Sequence, residues 1–384
     1  MKSAWRTARI DKLGKVVTGK TPPTVRVDYF DGPYPFITPS DLGFDDRHIK
    51  TERTLSEVGC DYQRSLLLPE GTVCFVCIGA TIGKTCLTDK ASFTNQQINS
   101  IVVQERDHDR AFIYYLLRTK EKEVRSIAAG AATPIVNKSS FSAVEVKVPD
   151  LETQRRIASI LSTYDDLIEN NTHRIKILEE MAKLIYREWF VEFNAPGVKL
   201  HKATAEEKKV TGKDAFPESW EAKELGEFLE LAYGKGLKAD TRREGRVPVY
   251  GSGGIVGHHD EALVKGPGIV VGRKGNVGSV FWSETDFFPI DTVFYVRSNV
   301  SLFYCYYCLK NQTFINTDAA VPGLSRESAL RKKALLPNQS ALARFETIVR
   351  PMFRELALLN NANRNLRSTR DLLLPKLVSG EVEV

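Results

Sequence analysis

The feature that most constrains how this 384-residue chain can fold is an internal repeat of about half its length. Four pairs of short strings correspond in order along the two halves: Leu13-Gly14 with Leu225-Gly226, Thr81-Ile82-Gly83-Lys84 with Asn276-Val277-Gly278-Ser279, Tyr114-Tyr115-Leu116-Leu117 with Tyr306-Tyr307-Cys308-Leu309, and Thr133-Pro134 with Val321-Pro322. The members of the last pair are related by an offset of 188 in residue number. Because self-similarity of this kind marks one structural unit built twice, the sequence predicts two copies of the same fold.

Each copy ends in a segment whose mainly apolar residues alternate at spacings of four and three. In the first copy they are Ile157, Leu161, Tyr164, Ile168, Asn171, Ile175, Leu178, Ala182 and Ile185, and at the same offset in the second copy they are Phe345, Val349, Met352, Leu356, Leu359, Asn363, Leu366, Arg370 and Leu373. This heptad pattern predicts one long helix per copy and pairing of the two helices as a coiled coil. Asn171 and Asn363 are expected to fix the register, and Pro351 predicts a kink or a later start of the second helix. Two unrelated amphipathic helices, each packed on its own domain, are the alternative; the shared offset favours mutual pairing.

The part of each copy that precedes the helix mixes short apolar runs with glycine and proline, which is typical of strands and turns. The runs cover residues 71–78 and 98–103 in the first copy and 268–272 and 293–296 in the second. Helical patches follow at 111–123 and 302–311, so each copy is predicted to be an α+β domain. We therefore expect a first α+β domain at 1–150, a first long helix at 151–194, a second domain at 195–337, and a second long helix with a tail at 338–384.

Composition narrows the class of protein. With 42% hydrophobic and 27% charged residues, a disordered or fibrous chain is excluded. No stretch approaches the ~20 uncharged apolar residues of a membrane span. The N-terminal stretch from Met1 to Asp11 carries Arg6 and Arg9 and lacks the apolar core of a secretory signal. Six cysteines fit a reducing compartment. We expect a cytoplasmic protein, whose net charge of +6 permits a nucleic-acid partner without requiring one.

One segment, Gly79-Ala80-Thr81-Ile82-Gly83-Lys84-Thr85, is similar to a phosphate-binding P-loop. The motif requires a glycine five residues before Gly83, and Ile78 stands there instead. A basic glycine turn beside a strand suits a DNA phosphate or groove contact better, since glycine allows close backbone approach. A nucleotide-binding enzyme acting through this segment remains an alternative.

Two cysteine pairs, Cys74 with Cys77 and Cys305 with Cys308, have the spacing of zinc ligands. The first pair lies in an apolar run and the second in an aromatic helical patch, so buried structural cysteine is favoured. His258-His259 is interpreted as a surface pair. Because methyltransferase, helicase and nuclease motifs are also missing from the sequence, we predict no catalytic residue, cofactor or metal site.

The strings of the chain, taken in order, resemble the specificity subunit of Type I restriction–modification enzymes over essentially the whole length. In the first copy the resemblance rests on Thr18-Gly19-Lys20-Thr21-Pro22, Pro35-Phe36-Ile37-Thr38-Pro39-Ser40-Asp41, Thr94-Asn95-Gln96-Gln97, Tyr164-Asp165-Asp166-Leu167-Ile168-Glu169-Asn170-Asn171 and Trp189-Phe190-Val191-Glu192-Phe193. In the second it rests on Pro248-Val249-Tyr250-Gly251-Ser252-Gly253-Gly254-Ile255, Pro289-Ile290-Asp291-Thr292 and Leu373-Leu374-Pro375-Lys376-Leu377-Val378-Ser379-Gly380.

The resemblance implies an α+β fold with two repeated target-recognition domains joined by two long antiparallel helices that form a coiled coil. It also implies a non-catalytic protein whose domains each recognise one half of a bipartite, asymmetric double-stranded DNA target. Its helices would dock methyltransferase (modification) subunits, two per chain, and restriction subunits would join through the complex, away from any membrane. The second helix lacks a counterpart of Trp189-Phe190. The two ends of the coiled coil are therefore expected to hold their partners unequally. A coiled-coil scaffold that binds only protein is the remaining alternative.

The candidate DNA-contacting residues combine suitable hydrogen-bonding chemistry with a place in basic or glycine-rich segments. In the first domain they are Lys20 and Lys84 for phosphate, and Thr38, Ser40, Asn95, Gln96 and Gln97 for bases or sugars. In the second domain they are Lys235, Lys238, Arg242, Arg243, Tyr250, Ser252, Arg273, Lys274 and Asn276. Asparagine and glutamine suit adenine, and arginine suits guanine. Each of these residues could instead satisfy backbone groups or belong to a solvated face.

Overall fold

The computed structural model describes residues 5–128, 134–314 and 323–384. These residues form two compact units: unit 1 comprises Met1–Asn171 and Ala362–Val384, and unit 2 comprises Thr172–Asn361. Thr133, Val321 and Pro322, which belong to one of the repeat matches, lie outside the described residues. Among the described residues, no helix combines the length and the apolarity that a membrane span requires.

Unit 1 is built on two small sheets and a strand pair. Its strands are β1 Arg6–Arg9, β2 Gly14–Thr18, β3 Phe30–Ile37, β4 Arg53–Leu55, β5 Val73–Val76, β6 Thr85–Leu87, β7 Phe93–Thr94, β8 Ile98–Val103 and β9 Glu145–Val148. A four-stranded sheet has the order β2-β8-β5-β6, a three-stranded sheet has the order β4-β3-β7, and β1 pairs with β9. Its helices are α1 Glu57–Tyr62, α2 Arg110–Arg118, α3 Glu121–Ile127, α4 Lys138–Ala143 and the first part of α5 Leu151–Tyr186.

Unit 2 repeats the sheets of unit 1 and adds one further strand pair. Its elements are β10 Leu200–Lys202, α6 Ala205–Thr211, β11 Ala215–Pro217, β12 Glu221–Glu224, β13 Leu229–Tyr233, β14 Val247–Gly251, β15 Gly254–His259, β16 Gly268–Gly272, β17 Val280–Ser283, β18 Phe288–Pro289, β19 Val293–Ser298, α7 Leu302–Lys310, α8 Arg326–Leu330, β20 Lys333–Leu336 and α9 Gln339–Ser379. The orders β13-β19-β16-β17 and β15-β14-β18, with β12 paired to β20, reproduce those of unit 1. The predicted α+β fold with two repeated domains is therefore confirmed.

The central strands of the four-stranded sheets explain why each domain forms its own core. Strands β5 and β16 are buried at every position, which their continuous apolar sequences require. Helices α2 and α7 pack nearby, and in α2 Tyr114 and Tyr115 are fully buried. Each unit has one main cluster of buried side chains, with smaller clusters beside it.

One of the sequence matches proves to be out of register. Each domain opens with a 3-10 turn, Ile10–Lys12 or Leu225–Glu227, whose first residue is fully buried. The backbone N–H of Ile10 donates to Val144 O, and that of Leu225 donates to Lys332 O. Leu225 therefore corresponds to Ile10 and not to Leu13, because a dipeptide of two common residues carries too little information to fix an alignment.

The two long helices pair antiparallel within each unit. In unit 1, Asp165 on α5 bonds Arg370 on α9 at 2.6 Å, and further along α5 Asn171 bonds Asn363 at 3.0 Å. In unit 2, Arg174 bonds Glu355 at 2.6 Å, and the ring of Tyr186 lies 6.3 Å from that of Phe345. As the residue numbers rise on α5 they fall on α9, and none of the predicted seam positions is exposed. The predicted antiparallel coiled coil is confirmed.

Pro351 does not delay the second helix. Helix α9 begins at Gln339 and continues through Pro351, which is exposed, so the expected later start is wrong. A proline removes one backbone hydrogen bond, but Val349 and Met352 on either side of it lie in the seam. Tertiary packing of the apolar stripe, which supplies most helix stability in proteins, outweighs that loss.

A glycine holds the same close contact in both domains. Gly19 N donates to Ile98 O and Lys20 N to Thr94 O, while Gly234 N donates to Val293 O and Lys235 N to Pro289 O. A Cβ atom on Gly19 would lie 2.1 Å from Thr94 O, and one on Gly234 would lie 2.1 Å from Ile290 O. Only glycine allows the backbone to approach this closely, and in each domain it sets the lysine that follows it at the same place.

We predict that Gly234→Ala lowers the free energy of unfolding by about 1–3 kcal/mol, because its methyl group must displace backbone atoms. The matched control is Gly236→Ala, two residues away, where an added Cβ meets nothing within 4 Å. That variant should change stability by less than about 0.5 kcal/mol. Urea denaturation of both variants measures the difference, and equal midpoints would contradict the close-approach interpretation.

Candidate nucleic-acid interface

A polar cleft in unit 1 gathers several of the predicted residues. Strands β3 and β7 run parallel, with Ile37 opposite Thr94, so the segments that follow them emerge side by side. The cleft between these segments measures about 370 Å³. Its lining consists of Thr38, Pro39, Ser40, Asp41, Glu52, Arg53, Asn95 and Gln97. Sequence analysis had singled out Thr38, Ser40, Asn95 and Gln97, which lie in two separate segments.

Hydrogen bonds inside the cleft fix the side chains that line it. The Asp41 carboxylate accepts from Thr38 N and Thr38 Oγ1, both at 2.7 Å, and from Glu52 N at 3.0 Å. Asn95 Oδ1 accepts from Gln97 N at 3.0 Å, and Asn95 Nδ2 donates to Gln97 Oε1 at 3.2 Å. Asn95 is only 8% exposed, so it positions Gln97 and leaves the Nε2 donors of that amide for a ligand. Preorganised donors and acceptors of this kind suit base-edge recognition.

Lys84 holds the loop on one side of the cleft by hydrogen bonds. Its Nζ donates to Leu42 O and, at 3.3 Å, to Pro39 O, and the side chain is half-buried. These bonds hold the loop that carries Thr38 and Ser40, so the structure places Lys84 as a brace for that loop. The sequence pattern did not reveal these bonds because the lysine and its acceptors are far apart along the chain.

The segment similar to a P-loop has the wrong geometry for phosphate. Residues Gly79–Thr81 form a single 3-10 turn, and β6 follows directly after Lys84. A P-loop delivers its phosphate to the N-terminus of a helix, whose backbone N–H groups bind the anion. Since a strand takes the place of that helix, the structure disfavours a nucleotide-binding enzyme.

Lys20 of the first domain is exposed, and its Nζ lies 5.4 Å from the ring centre of Tyr62. Gln96 beside it is also exposed, and its Oε1 accepts a hydrogen bond from Thr21 Oγ1 at 2.8 Å. Both side chains are accessible, and their contact with a phosphate or sugar stays a prediction.

In unit 2 a cationic cluster surrounds an exposed tyrosine. The guanidinium of Arg273 lies 5.0 Å from the ring centre of Tyr233 and donates to Asp291 O at 3.2 Å. Arg326 lies 5.6 Å from the same ring, which is 51% exposed, and Lys235 is exposed two residues further on. Sequence analysis missed Tyr233 and Arg326. Their only signal was the position of Tyr233 immediately before the Gly234-Lys235 pair.

The loops next to this cluster carry three further predicted residues. Lys274 and Asn276 are exposed, and Ser252 is half-buried. Ser279 Oγ donates to Ser252 O at 2.7 Å, which ties the two loops together. A Cβ atom on Gly275 would lie 3.1 Å from Ser252 Oγ, so Ser252 lies next to the turn that carries Lys274 and Asn276.

Other predicted residues of unit 2 have different surroundings. Tyr250 is only 6% exposed and packs its ring against Phe287, so it belongs to the core. Arg243 donates to Asp260 at 2.7 Å and Glu261 at 2.6 Å, and its hydrogen bond lowers the pKa of Asp260. Arg242 donates to Val256 O at 2.6 Å. Lys238 is exposed beside the 3-10 turn Ala239–Thr241.

His259 is not a surface residue, in contrast to the prediction. It is 4% exposed, and its Nδ1 accepts a hydrogen bond from Arg243 N at 3.0 Å, whereas His258 is exposed. Successive residues of a strand face opposite sides, and both histidines lie on β15, so only one of them can face solvent. The pair therefore splits between the core and the surface.

The cysteines have the surroundings of buried core residues. Burial raises the pKa of Cys77, Cys305 and Cys308 to about 12 in each case, as expected of thiols packed in an apolar core. Across residues 5–128, 134–314 and 323–384 there is no group of three or more side chains suited to a metal ion.

Known proteins show the same organisation. The chain matches the family described as Type I restriction modification DNA specificity domain over residues 2–180 and again over 217–333. It is 26% identical to the Type I restriction enzyme MjaIX specificity subunit of Methanocaldococcus jannaschii, covering 99% of this chain and 94% of that one. It is 33% identical over 174 residues to the HindI specificity subunit of Haemophilus influenzae, which covers 43% of this chain and 38% of that one.

A solved structure has the same fold. The crystal structure of the Type I restriction-modification system S subunit from M. genitalium aligns with a TM-score of 0.66 at 20% identity, covering 98% of this chain and 96% of that one. The family match extends over more than half of the chain and falls on both of its repeated domains. The chain therefore belongs to the Type I restriction–modification DNA specificity family, as a specificity subunit with two recognition domains.

Proposed function

We propose that the chain is the non-catalytic DNA-specificity subunit of a cytoplasmic Type I complex, and that each domain recognises one half of a bipartite, asymmetric target. The domains would be residues 1–150 and 195–337, with residues 151–194 and 338–384 as the helical spacer. One observation carries the proposal: two domains of the same topology bear different side chains at the same place. The segment Asn95-Gln96-Gln97 after β7 is replaced by Ile290-Asp291-Thr292 after β18.

The chemistry of the two sites supports unlike half-sites. In the first domain, amides and hydroxyls line a preorganised cleft, and glutamine suits adenine, which offers a donor and an acceptor together. In the second domain, Arg273 stacks on Tyr233, and a guanidinium suits guanine. Lys20 and Lys235 occupy equivalent positions in the two domains and are suited to phosphate. A duplex with two different half-sites matches a protein with two differing copies of one domain.

Exposed apolar residues on the helices support docking of two modification subunits. In unit 1 these include Ile160 at 37% and Leu372 at 68% exposure, and in unit 2 they include Leu184 at 50% and Ile348 at 39%. Ile348 is the repeat counterpart of Ile160, and Leu372 is that of Leu184, both at the repeat offset of 188. Exposed apolar groups are expected at protein interfaces, and each unit carries an equivalent set. Restriction subunits would join through the same complex.

We predict that the double variant Arg273→Ala with Lys274→Ala weakens DNA binding and its salt dependence. Loss of a phosphate contact at Lys274 should reduce the slope of log affinity against log salt by about 0.9, and loss of the base contact at Arg273 should lower the affinity itself. The measurement is fluorescence anisotropy of labelled target DNA with the assembled complex at several salt concentrations. The matched control removes two exposed cations of α6, Lys208→Ala with Lys209→Ala, and should leave the slope unchanged. Equal slopes for both double variants would contradict the assignment.

We further predict that Leu184→Glu removes one of two bound modification subunits, because a carboxylate cannot be buried unpaired at an apolar interface. His173→Glu, which adds the same group at an exposed position of the same helix, should keep both subunits. The mass of the purified complex gives the number bound. Retention of two subunits by Leu184→Glu, or loss of both, would argue against two separate docking sites.

A further inference from the structure

A segment between β3 and β4 has no counterpart in the second domain. Residues 38–52 separate these strands in unit 1, whereas in unit 2 only Ser252-Gly253 separates β14 from β15. The two ends of the segment line the polar cleft through Thr38, Ser40, Asp41 and Glu52. We call residues 38–52 the cleft loop.

The middle of the cleft loop is tied to helices of unit 1 by ion pairs. Asp45 Oδ1 accepts from Arg370 on α9 at 2.7 Å and from Arg118 on α2 at 3.1 Å. Arg118 also donates to Phe44 O at 3.3 Å. Arg47 pairs with Asp166 on α5. Burial alone would raise the pKa of Asp45, but the guanidiniums of Arg370 and Arg118 outweigh it and hold that pKa below its usual value.

Arg370 is the buried centre of this network. Its side chain is only 1% exposed, and its guanidinium bonds Asp165 at 2.6 Å, Asp45 at 2.7 Å and Asp371 at 2.9 Å. Asp165 in turn accepts from Tyr115 of α2 at 2.5 Å. A buried ion pair is weak support for stability, because removing two charges from water offsets most of their attraction. The ion pairs of Arg370 are better explained by the fixed arrangement that they impose on α9, α5 and the cleft loop.

The second unit shows that helix pairing does not need these charges. The repeat counterparts of Asp165 and Arg370, at the same offset of 188, are Phe353 and Ala182. Both are buried in the core of unit 2. The charged pair therefore occurs in the unit that has the cleft loop, and an apolar pair occurs in the unit that lacks it.

We propose that Arg370 is a positioning residue for recognition in the first domain. It holds Asp45, and through Asp45 it fixes the cleft loop, so that Thr38, Ser40 and Glu52 meet the bases of the first half-site in one arrangement. Arg370 touches no DNA itself. This inference rests on the proposed function of the cleft and adds a residue on the distant helix to its specificity.

The test transplants the apolar pair of unit 2 into unit 1 as Asp165→Phe with Arg370→Ala. Each variant is co-expressed with the modification subunits in a host that lacks adenine methylation, and modified sites are mapped by sequencing. The variant should still assemble, since unit 2 pairs its helices in this way. We expect the first half of the motif to become degenerate, with modification of first-half mismatches rising about 10-fold. The second half and the gap between halves should not change.

A second variant, Asp45→Ala, keeps the Asp165–Arg370 pair and removes only the anchor on the loop, whose side chain is 51% exposed. It should produce the same first-half degeneracy with only a small decrease in the thermal unfolding midpoint, whereas a purely structural role of the network would lower the midpoint and leave the motif intact. The control is Arg174→Ala, which breaks an exposed pair between α5 and α9 at 2.6 Å and should preserve both halves.

The outcomes separate the two proposals. A wild-type split motif, with unchanged first-half fidelity in Asp45→Ala, would overturn the role of Arg370 and leave the proposed function standing. A wild-type complex that assembles but modifies no split motif would overturn the proposed function and this inference together. Degeneracy of both halves in Asp45→Ala would overturn the inference, because it assigns Asp45 to the first domain alone.

Discussion

The seam between α5 and α9 is the interaction on which the rest of the structure depends. A long amphipathic helix cannot bury its apolar stripe alone, and in each unit the partner stripe comes from the other helix. Ile157 and Leu161 of α5 enter the core of unit 1 together with Leu377 of α9, and Tyr186 enters that of unit 2 together with Phe345. Each domain core is therefore completed by residues of both α5 and α9. The Asn171–Asn363 bond gives this pairing one register, because a slip would leave a polar amide among apolar residues.

The two domains share their buried strands and differ in the loops beside them. The buried strands keep the same order, pairing and apolar character in both domains, since the core sets their sequence. The segments that follow β7 and β18 lie outside the sheets. There the first domain has Asn95 and Gln97, and the second has Ile290 and Thr292. Chemistry that differs on a framework that repeats is the arrangement expected for two unlike half-sites.

Local periodicity explains how much of the fold the sequence could predict. The heptads, the buried strands and the repeat all follow from spacings that one segment carries by itself, and each was predicted. The errors and omissions arose where long-range contacts decide. DNA contact by Lys84 and Tyr250 stays a prediction, but spacing could not show that Lys84 bonds Pro39 and Leu42 or that Tyr250 is buried. The cluster of Arg273 and Arg326 around Tyr233 joins three distant segments, which no spacing rule brings together.

The central claim is that each domain recognises its own half of a split DNA sequence. The most direct measurement maps methylated adenines in a host without adenine methylation that expresses this chain with its modification subunits. The map is then repeated with residues 1–150 exchanged for those of a relative. The two-domain assignment predicts a motif of two unlike halves with a fixed gap, of which the exchange alters one half and leaves the other half and the gap unchanged. A soluble complex that leaves no methylated motif, or an exchange that alters both halves, would contradict it.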